Sequence, residues 1–254
     1  MWTEETFLKK AELFKVLMEI KWKFADRDAR MINSILEEYG IKRGKILDLM
    51  CGNGRIAINL AKLGHYVVGI DFSEPFIRDA ERRAVKNGAH NKTRFLIWDI
   101  RELNRLSLDT LFDAALLVWS SLGYYDPETD IQVLKNIRKF VKKQGVLIIC
   151  DVLLRDNFDN TDSFMFYVYK NYHIYSKCML NKDSSTITKS WTFFILDSDG
   201  KERYLDEIKM RLILYSIDEL TEMLKNAGWS SILVKNIEGI INIIARNDKK
   251  ENED

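Results

Sequence analysis

The stretch "KILDLMCGNGRIAINLAKLGHYVVGID", Lys45 to Asp71, decides the fold. It divides into a strand over 45–49, a glycine-bearing loop, a helix over 54–63 with a stop at Gly64, and a second strand over 66–71 that ends in an acid. Glycines between strand and helix let the backbone turn tightly and approach a ligand with no Cβ in the way. The helix that opens near Gly54 offers free N–H groups and a positive dipole end to a carboxylate or phosphate. A Gly-x-Gly pair alone is weak evidence. The strand before it and the helix after it make it informative.

Outward from this unit the same rhythm continues. Strands are expected at 94–98, 112–119 and 145–151, and helices at 74–87 and 127–142. Ser73 is placed to cap the helix that begins Glu74-Pro75, with Gly88 as its stop. Pro75 and Pro127, the only two prolines, both sit at expected helix starts. "ALLVW" and "VLIIC" are nearly all apolar, as in strands covered on both faces. Alternating strand and helix implies right-handed crossovers and a doubly wound, mostly parallel sheet. Upstream, helical spacing runs over 4–24, and a second helix is expected over 27–39, capped by Asp26 and stopped by Gly40.

Residues 152–215 break the rhythm. They are rich in aromatic and β-branched residues, with turn signals at "NKDSS" and "DSDG". An antiparallel insertion of three or four strands is expected there. The parallel pattern is then expected to resume with a helix at 217–227, capped by Ser216 and stopped by Gly228, and strands near 230–236 and 240–246. The predicted class is α/β: a seven-stranded, mostly parallel sheet with an antiparallel β insertion. The organisation is N-terminal helices (1–40) as a cover, a ligand-binding domain (41–151 and 216–246), the insertion (152–215) and a flexible tail (247–254).

Bulk properties exclude several classes. Of 254 residues 46% are hydrophobic and 30% charged, the balance of a globular chain. Lys+Arg 39 against Asp+Glu 38 gives no electrostatic reason to expect nucleic acid. No window reaches the roughly 18 consecutive apolar residues of a membrane span, and "MWTEETFLKKAELFKVL" lacks the character of a signal peptide. Cys51, Cys150 and Cys178 are scattered, odd in number and without ligand spacing, which fits a reducing cytoplasm. His65, His90 and His173 supply no metal-ligand set, so no metal is expected.

Two ligand classes compete for the loop. "GNGRIA" satisfies the Gly-x-Gly-x-x-Ala dinucleotide fingerprint, and Asp71 lies at a suitable distance to hold a ribose. Three features count against a dehydrogenase. Asp48 ends the first strand, where a carboxylate would crowd a pyrophosphate but suits a cationic amino acid moiety. Asp99 closes the third strand in "FLIWD". No Tyr-x-x-x-Lys pair occurs.

These same residues carry a resemblance. The chain resembles the class I S-adenosylmethionine-dependent methyltransferases over residues 30–245. "ILDLMCGNGR" is similar to their first motif, "VVGIDFSEPFI" to the second, "FLIWDI" to the third, "FDAALLVWSSLGYY" to the fourth and "LKNIRKFVKKQGVLIICD" to the fifth. "RLILYSIDELTEMLKNAGW" resembles a segment of the small-molecule enzymes of this class, among them sugar N-methyltransferases with an antiparallel insertion at the same point. The resemblance implies S-adenosyl-L-methionine as cofactor. Asp48, Gly52 and Gly54, with Met50 and Cys51 of the same loop, would follow its methionine part. Asp71 would accept both ribose hydroxyls, and Phe72 would pack beside the adenine. Asp99 would accept from the adenine amino group, with Trp98 and Ile100 beside it, and Trp119 would lie near the sulfonium. Met50 replaces a frequent first glycine, and Gln144 replaces a proline common before strand five.

Methyl transfer from a sulfonium needs alignment and exclusion of water more than acid–base machinery. Candidate acceptor contacts are Ser120, Ser121 and Tyr124 of "SSLGYY" and Tyr172 of "YVYKNYHIY", with Tyr124 and His173 as candidate catalytic groups. A competing reading makes the insertion's aromatics a packed face or a homodimer interface. The expected activity is methyl transfer to N, O or C of a small-molecule acceptor. The alternatives are an RNA or protein methyltransferase, an inactive cofactor-binding protein and, last, an NAD-dependent dehydrogenase.

Overall fold

The computed structural model describes residues 1–157, 162–181 and 185–248. The chain opens with α1 (Trp2–Glu4), which runs on as a π turn over Glu5–Lys9, followed by α2 (Ala11–Trp22) and α3 (Ala25–Glu38). The single helix expected over 4–24 is thus divided, with the break at Lys10 (φ −103°, ψ 21°). Asp26 is not the cap of α3. Phe24 holds that position, and Asp26 lies in the first turn paired with Arg30, where an acid still meets the positive end of the helix dipole.

Then follow β1 (Lys45–Leu49), α4 (Arg55–Lys62), β2 (Tyr66–Asp71), α5 (Glu74–Lys86), β3 (Thr93–Ile97), β4 (Phe112–Val118), α6 (Pro127–Phe140) and β5 (Val141–Cys150). Strand five starts earlier than the expected 145, because Val141 pairs with Phe112 before a register shift. Gln144 sits there at φ 66°, a conformation closed to proline, which accounts for its place in the sequence. β1 pairs in parallel with β2 on one side and β4 on the other. Winding therefore reverses between β1 and β4. In open α/β sheets, the crevice beyond the carboxyl ends of the strands at such a point is where ligands bind.

The chain leaves β5 for β6 (Ser163–Tyr169), β7 (Tyr172–Asn181), β8 (Thr186–Leu196) and β9 (Glu202–Ile213), a separate antiparallel sheet in that order. An isolated Leu154–Tyr215 bridge closes its base. It returns through α7 (Ile217–Asn226), which Ser216 and Glu219 cap reciprocally, to β10 (Ser230–Ile237) and β11 (Ile240–Arg246). These last strands do not extend the parallel pattern. Glu238 and Gly239 (φ 51° and 82°) make a two-residue turn, which joins antiparallel neighbours. β11 enters beside β5, so the large sheet runs β10-β11-β5-β4-β1-β2-β3. The expected tail begins too early: Asn247 is buried, its amide donating to the Val141 carbonyl at 2.7 Å. Residues 249–254 lie outside the described residues.

Three cores result. One lies under α6 and α7, and one under α3, α4 and α5. The third joins the N-terminal helices to the inner face of the insertion sheet through Phe7, Phe14, Ile174, Ile187, Trp191, Phe193 and Ile208. Burying each of its large side chains contributes about 1.5–3 kcal/mol relative to exposure. Lys10 Nζ fastens the same junction, donating to Asp206 at 2.9 Å and to the Glu207 carbonyl at 2.7 Å.

Candidate functional site

The loop after β1 lies at the reversal point. Met50, Gly52 and Gly54 all have positive φ, at 55°, 55° and 75°. Met50 bears a side chain where the backbone favours glycine, which marks the position the resemblance flagged. A Cβ on Gly52 would overlap Met18 Cε, so the glycine's open face is covered by a methionine of α2. Gly54 faces elsewhere: a Cβ there would meet Phe95 and Ala80, so it is required for packing of α4.

Two small cavities flank this loop. One, of about 40 Å³, is lined by Met18, Asp48, Met50, Cys51, Gly52, Asn53, Arg55, Ile56, Val118 and Trp119. The other, of about 60 Å³, adds Phe7, Phe14, Asp71, Phe72, Phe76, Ser121 and Tyr124. Asp48 Oδ2 and both amide atoms of Asn53 are buried without partners. Unpaired buried polar atoms are costly and uncommon, and three of them lie together here, able to take bonds from a ligand. Burial pushes the Asp48 carboxyl up to about 7, although the Arg55 guanidinium opposes this. Arg55 in turn donates to Asp28 at 2.8 Å across a buried ion pair.

Asp71 is held rigidly. Its Oδ2 accepts from Gly52 N–H and its Oδ1 from Ser73 N–H, both at 2.9 Å. Burial lifts it to about 6 against these bonds. Each carboxylate oxygen retains a second lone pair for a ligand hydroxyl. Ser73 holds the cap position of α5, but its hydroxyl donates to the Phe7 carbonyl at 2.6 Å and so ties the π turn to this site.

Beyond β4 the chain turns sharply, with Trp119 and Ser120 at φ 64° and 57°. A bulky residue in this region is strained. Trp119 lies between the cations of Lys21 and Arg55, 5.3 and 5.9 Å from its ring. Ser121 donates to the Val118 carbonyl at 2.7 Å, and Ser120 lies outside both cavities with its hydroxyl toward the Asp151 carbonyl. Tyr124 stacks on Phe7 (5.8 Å) and meets Trp2 edge-on (5.2 Å), and burial raises its hydroxyl well above the usual phenol range. Gly123 N–H donates to Asp130 at 2.9 Å, and Tyr215 donates to the same oxygen at 2.8 Å. That buried pair anchors the loop to α6 and the end of the insertion.

Several expected residues are placed elsewhere. Asp99 caps the short 3-10 turn Ile100–Arg105, and its carboxylate is engaged by the Arg101 backbone and guanidinium. Trp98, Asp99 and Ile100 line neither cavity. "YVYKNYHIY" is not one strand but a hairpin turning at Lys170–Asn171. Tyr172 and His173 are consecutive and so face opposite sides of the sheet. Tyr172 lines an outer groove between α2 and α5, while His173 bonds Glu202 at 2.6 Å on the far face beside Phe166. Sequence reasoning missed Asn53, Arg55, Phe7, Phe14 and Met18. Asn53 and Arg55 stood within the quoted loop; the other three gave only helical periodicity.

Residues 42–228 match the family model described as "Methyltransferase domain". The chain belongs to this family, among the class I S-adenosylmethionine-dependent methyltransferases. It is 28% identical over 197 residues to the candidate methyltransferase YqeM of Bacillus subtilis (strain 168), covering 74% of each chain. Its fold is similar to that of an S-adenosylmethionine-dependent methyltransferase from Clostridium acetobutylicum ATCC 824 (TM-score 0.73, 18% identity, 94% of this chain and 97% of that one). It is also similar to CalS10, an amino pentose methyltransferase from Micromonospora echinaspora with bound SAM (TM-score 0.76, 14% identity, 92% and 96%).

Proposed function

We propose that the protein transfers the methyl group of S-adenosylmethionine to a nitrogen, oxygen or carbon of a small-molecule acceptor, with the donor at the β1 loop. The carrying observation is the set of unpartnered buried atoms, Asp48 Oδ2 and the Asn53 amide, beside Gly52, whose side-chain direction is filled only by the terminal methyl of Met18, a flexible group that a ligand would displace. These groups fit the amine and carboxylate of a methionine moiety. Asp71 would take the ribose hydroxyls and Phe72 the adenine face. When bound, the donor supplies an activated methyl on a sulfonium. The chain's own part is to orient and to exclude water, with Trp119 lining the space beside the sulfonium where the acceptor atom must meet the methyl group.

Phe7, Phe14 and Met18 line the loop cavities, whose volumes of about 40 and 60 Å³ are far below the roughly 300–1,000 Å³ of sites for ligands of comparable size. Residues 1–40 therefore act as a cover that must swing out for the donor to enter, and the insertion acts as the acceptor's roof. A small acceptor is further supported by the likeness to CalS10. An RNA substrate gains no support from the outer groove: Lys15, Arg82 and Arg83 are paired there with Glu12, Asp79 and Glu19. Among the described residues no helix is long and apolar enough to cross a membrane. The buried free thiols Cys51, Cys150 and Cys178 favour a cytoplasmic setting. The test is methyl transfer from labelled donor to panels of small amines and hydroxyl compounds, with an RNA and a protein extract alongside. Labelling of the RNA or protein alone would refute the small-molecule reading.

A further inference from the structure

On the other side of Trp119 lies a third cavity, of about 210 Å³, between α2 and the inner face of the insertion sheet. Leu17, Ile20, Trp119, Met165, Tyr167 and Trp191 make its apolar walls. The remaining lining groups are Lys21, Ser176 and Lys189. Register explains their meeting: Met165 pairs with Ser176, and Ser176 with Trp191, while Lys189 stands two residues before Trp191 on the same face.

The polar groups are incompletely matched. Ser176 Oγ is buried without a hydrogen-bond partner. Lys189 Nζ has no hydrogen bond or ion pair among the described residues and rests 5.7 Å from the Trp191 ring. Burial, with Lys21 nearby, pulls its ammonium below the usual lysine range. Asp151 is the carboxylate at hand, and it already faces Lys21 at 3.8 Å. Two cations against one acid leave the cavity positive. Lys189 is half-buried, and a partly desolvated ammonium with no partner favours an anion as its complement.

We infer that this cavity holds the methyl acceptor as a small organic anion, its carboxylate or phosphate on Lys189 and the Ser176 hydroxyl and its apolar body between Trp119 and Trp191. The size agrees, being below that of sites for drug-sized ligands. The position agrees too, since Trp119 lines both this space and the cavity at the glycine loop. The inference rests on the methyltransferase reading above and adds the acceptor's chemical class.

The test uses the full chain and calorimetry. S-adenosylhomocysteine is titrated first; its failure to bind would sink the donor reading itself. Product-loaded protein is then titrated with benzoate and with phenyl phosphate, each against neutral benzamide. At least one anion should bind about 10-fold or more tighter than benzamide, the worth of one charge-assisted hydrogen bond. The stronger of the two identifies the head group. Lys189→Met should erase the preference while leaving S-adenosylhomocysteine affinity unchanged, and Lys189→Arg should retain a preference. If Lys189→Met fails to fold, Ser176→Ala serves, with a smaller loss of anion affinity expected. Bound product with no anion preference, or a preference indifferent to these substitutions, would overturn the inference and leave the donor site standing.

Discussion

The two sides of Trp119 are built differently. On the loop side, Asp48, Asn53 and Asp71 come from one strand–loop–helix–strand unit, and Asp71 takes its bonds from the nearby Gly52 and Ser73 backbone. On the insertion side, Lys21, Met165, Ser176 and Lys189 come from a helix and three strands. The first is fixed by local backbone geometry, the second by the register of a sheet. A site of the first kind is a family property; a site of the second kind can change its ligand through a few substitutions on one face.

The largest expected effect lies on the loop side. Asp71→Ala removes a charged acceptor for two hydroxyls and should weaken donor binding by about 100-fold or more, as read by calorimetry. Next is the anchored loop after β4. Gly123 has φ 82°, and a Cβ there would overlap the Ile213 carbonyl. Gly123→Ala should cost about 2–4 kcal/mol in urea unfolding; wild-type stability would show the loop to be independent of the insertion. Then comes pH. Asp48, Asp71 and Asp130 are raised by burial from 3.8 to about 7, 6 and 6. The folded state therefore holds more protons than the unfolded one between about pH 4 and 7, and stability falls as pH rises through that window. Asp130→Asn should flatten the fall, measured by urea unfolding at pH 4.5 and 7.5. Donor affinity should move the other way and strengthen as Asp71 ionises near pH 6. The smallest effect is expected on the outer face: His173→Ala should leave methyl transfer unchanged, and a large loss would place chemistry where the structure puts none.

Legibility followed the same division. β1, α4, β2 and α7 were readable because their boundaries have local causes, such as Gly64 at φ 111° after α4 or Ser216 with Glu219 at the start of α7. The final hairpin misled because its direction depends on a two-residue turn, Glu238-Gly239, and not on strand composition. Asp99 was legible as the acid that ends a strand; the bond it accepts from Arg101, two residues on, was not. Tyr172 and His173 separate by parity in any strand, but which of them turns toward α2 was set only by how the sheet docks. Lys189 carried no signal at all, since an isolated lysine in a strand reads as solvent-facing.

The most direct measurement is a titration of the purified protein with S-adenosylmethionine, S-adenosylhomocysteine and NAD(H), repeated on Asp71→Ala with its folding verified by thermal melt. Binding of the first two by the wild type, lost in a folded variant, is the predicted result. Binding of NAD(H) alone, or donor binding indifferent to Asp71, would contradict the account.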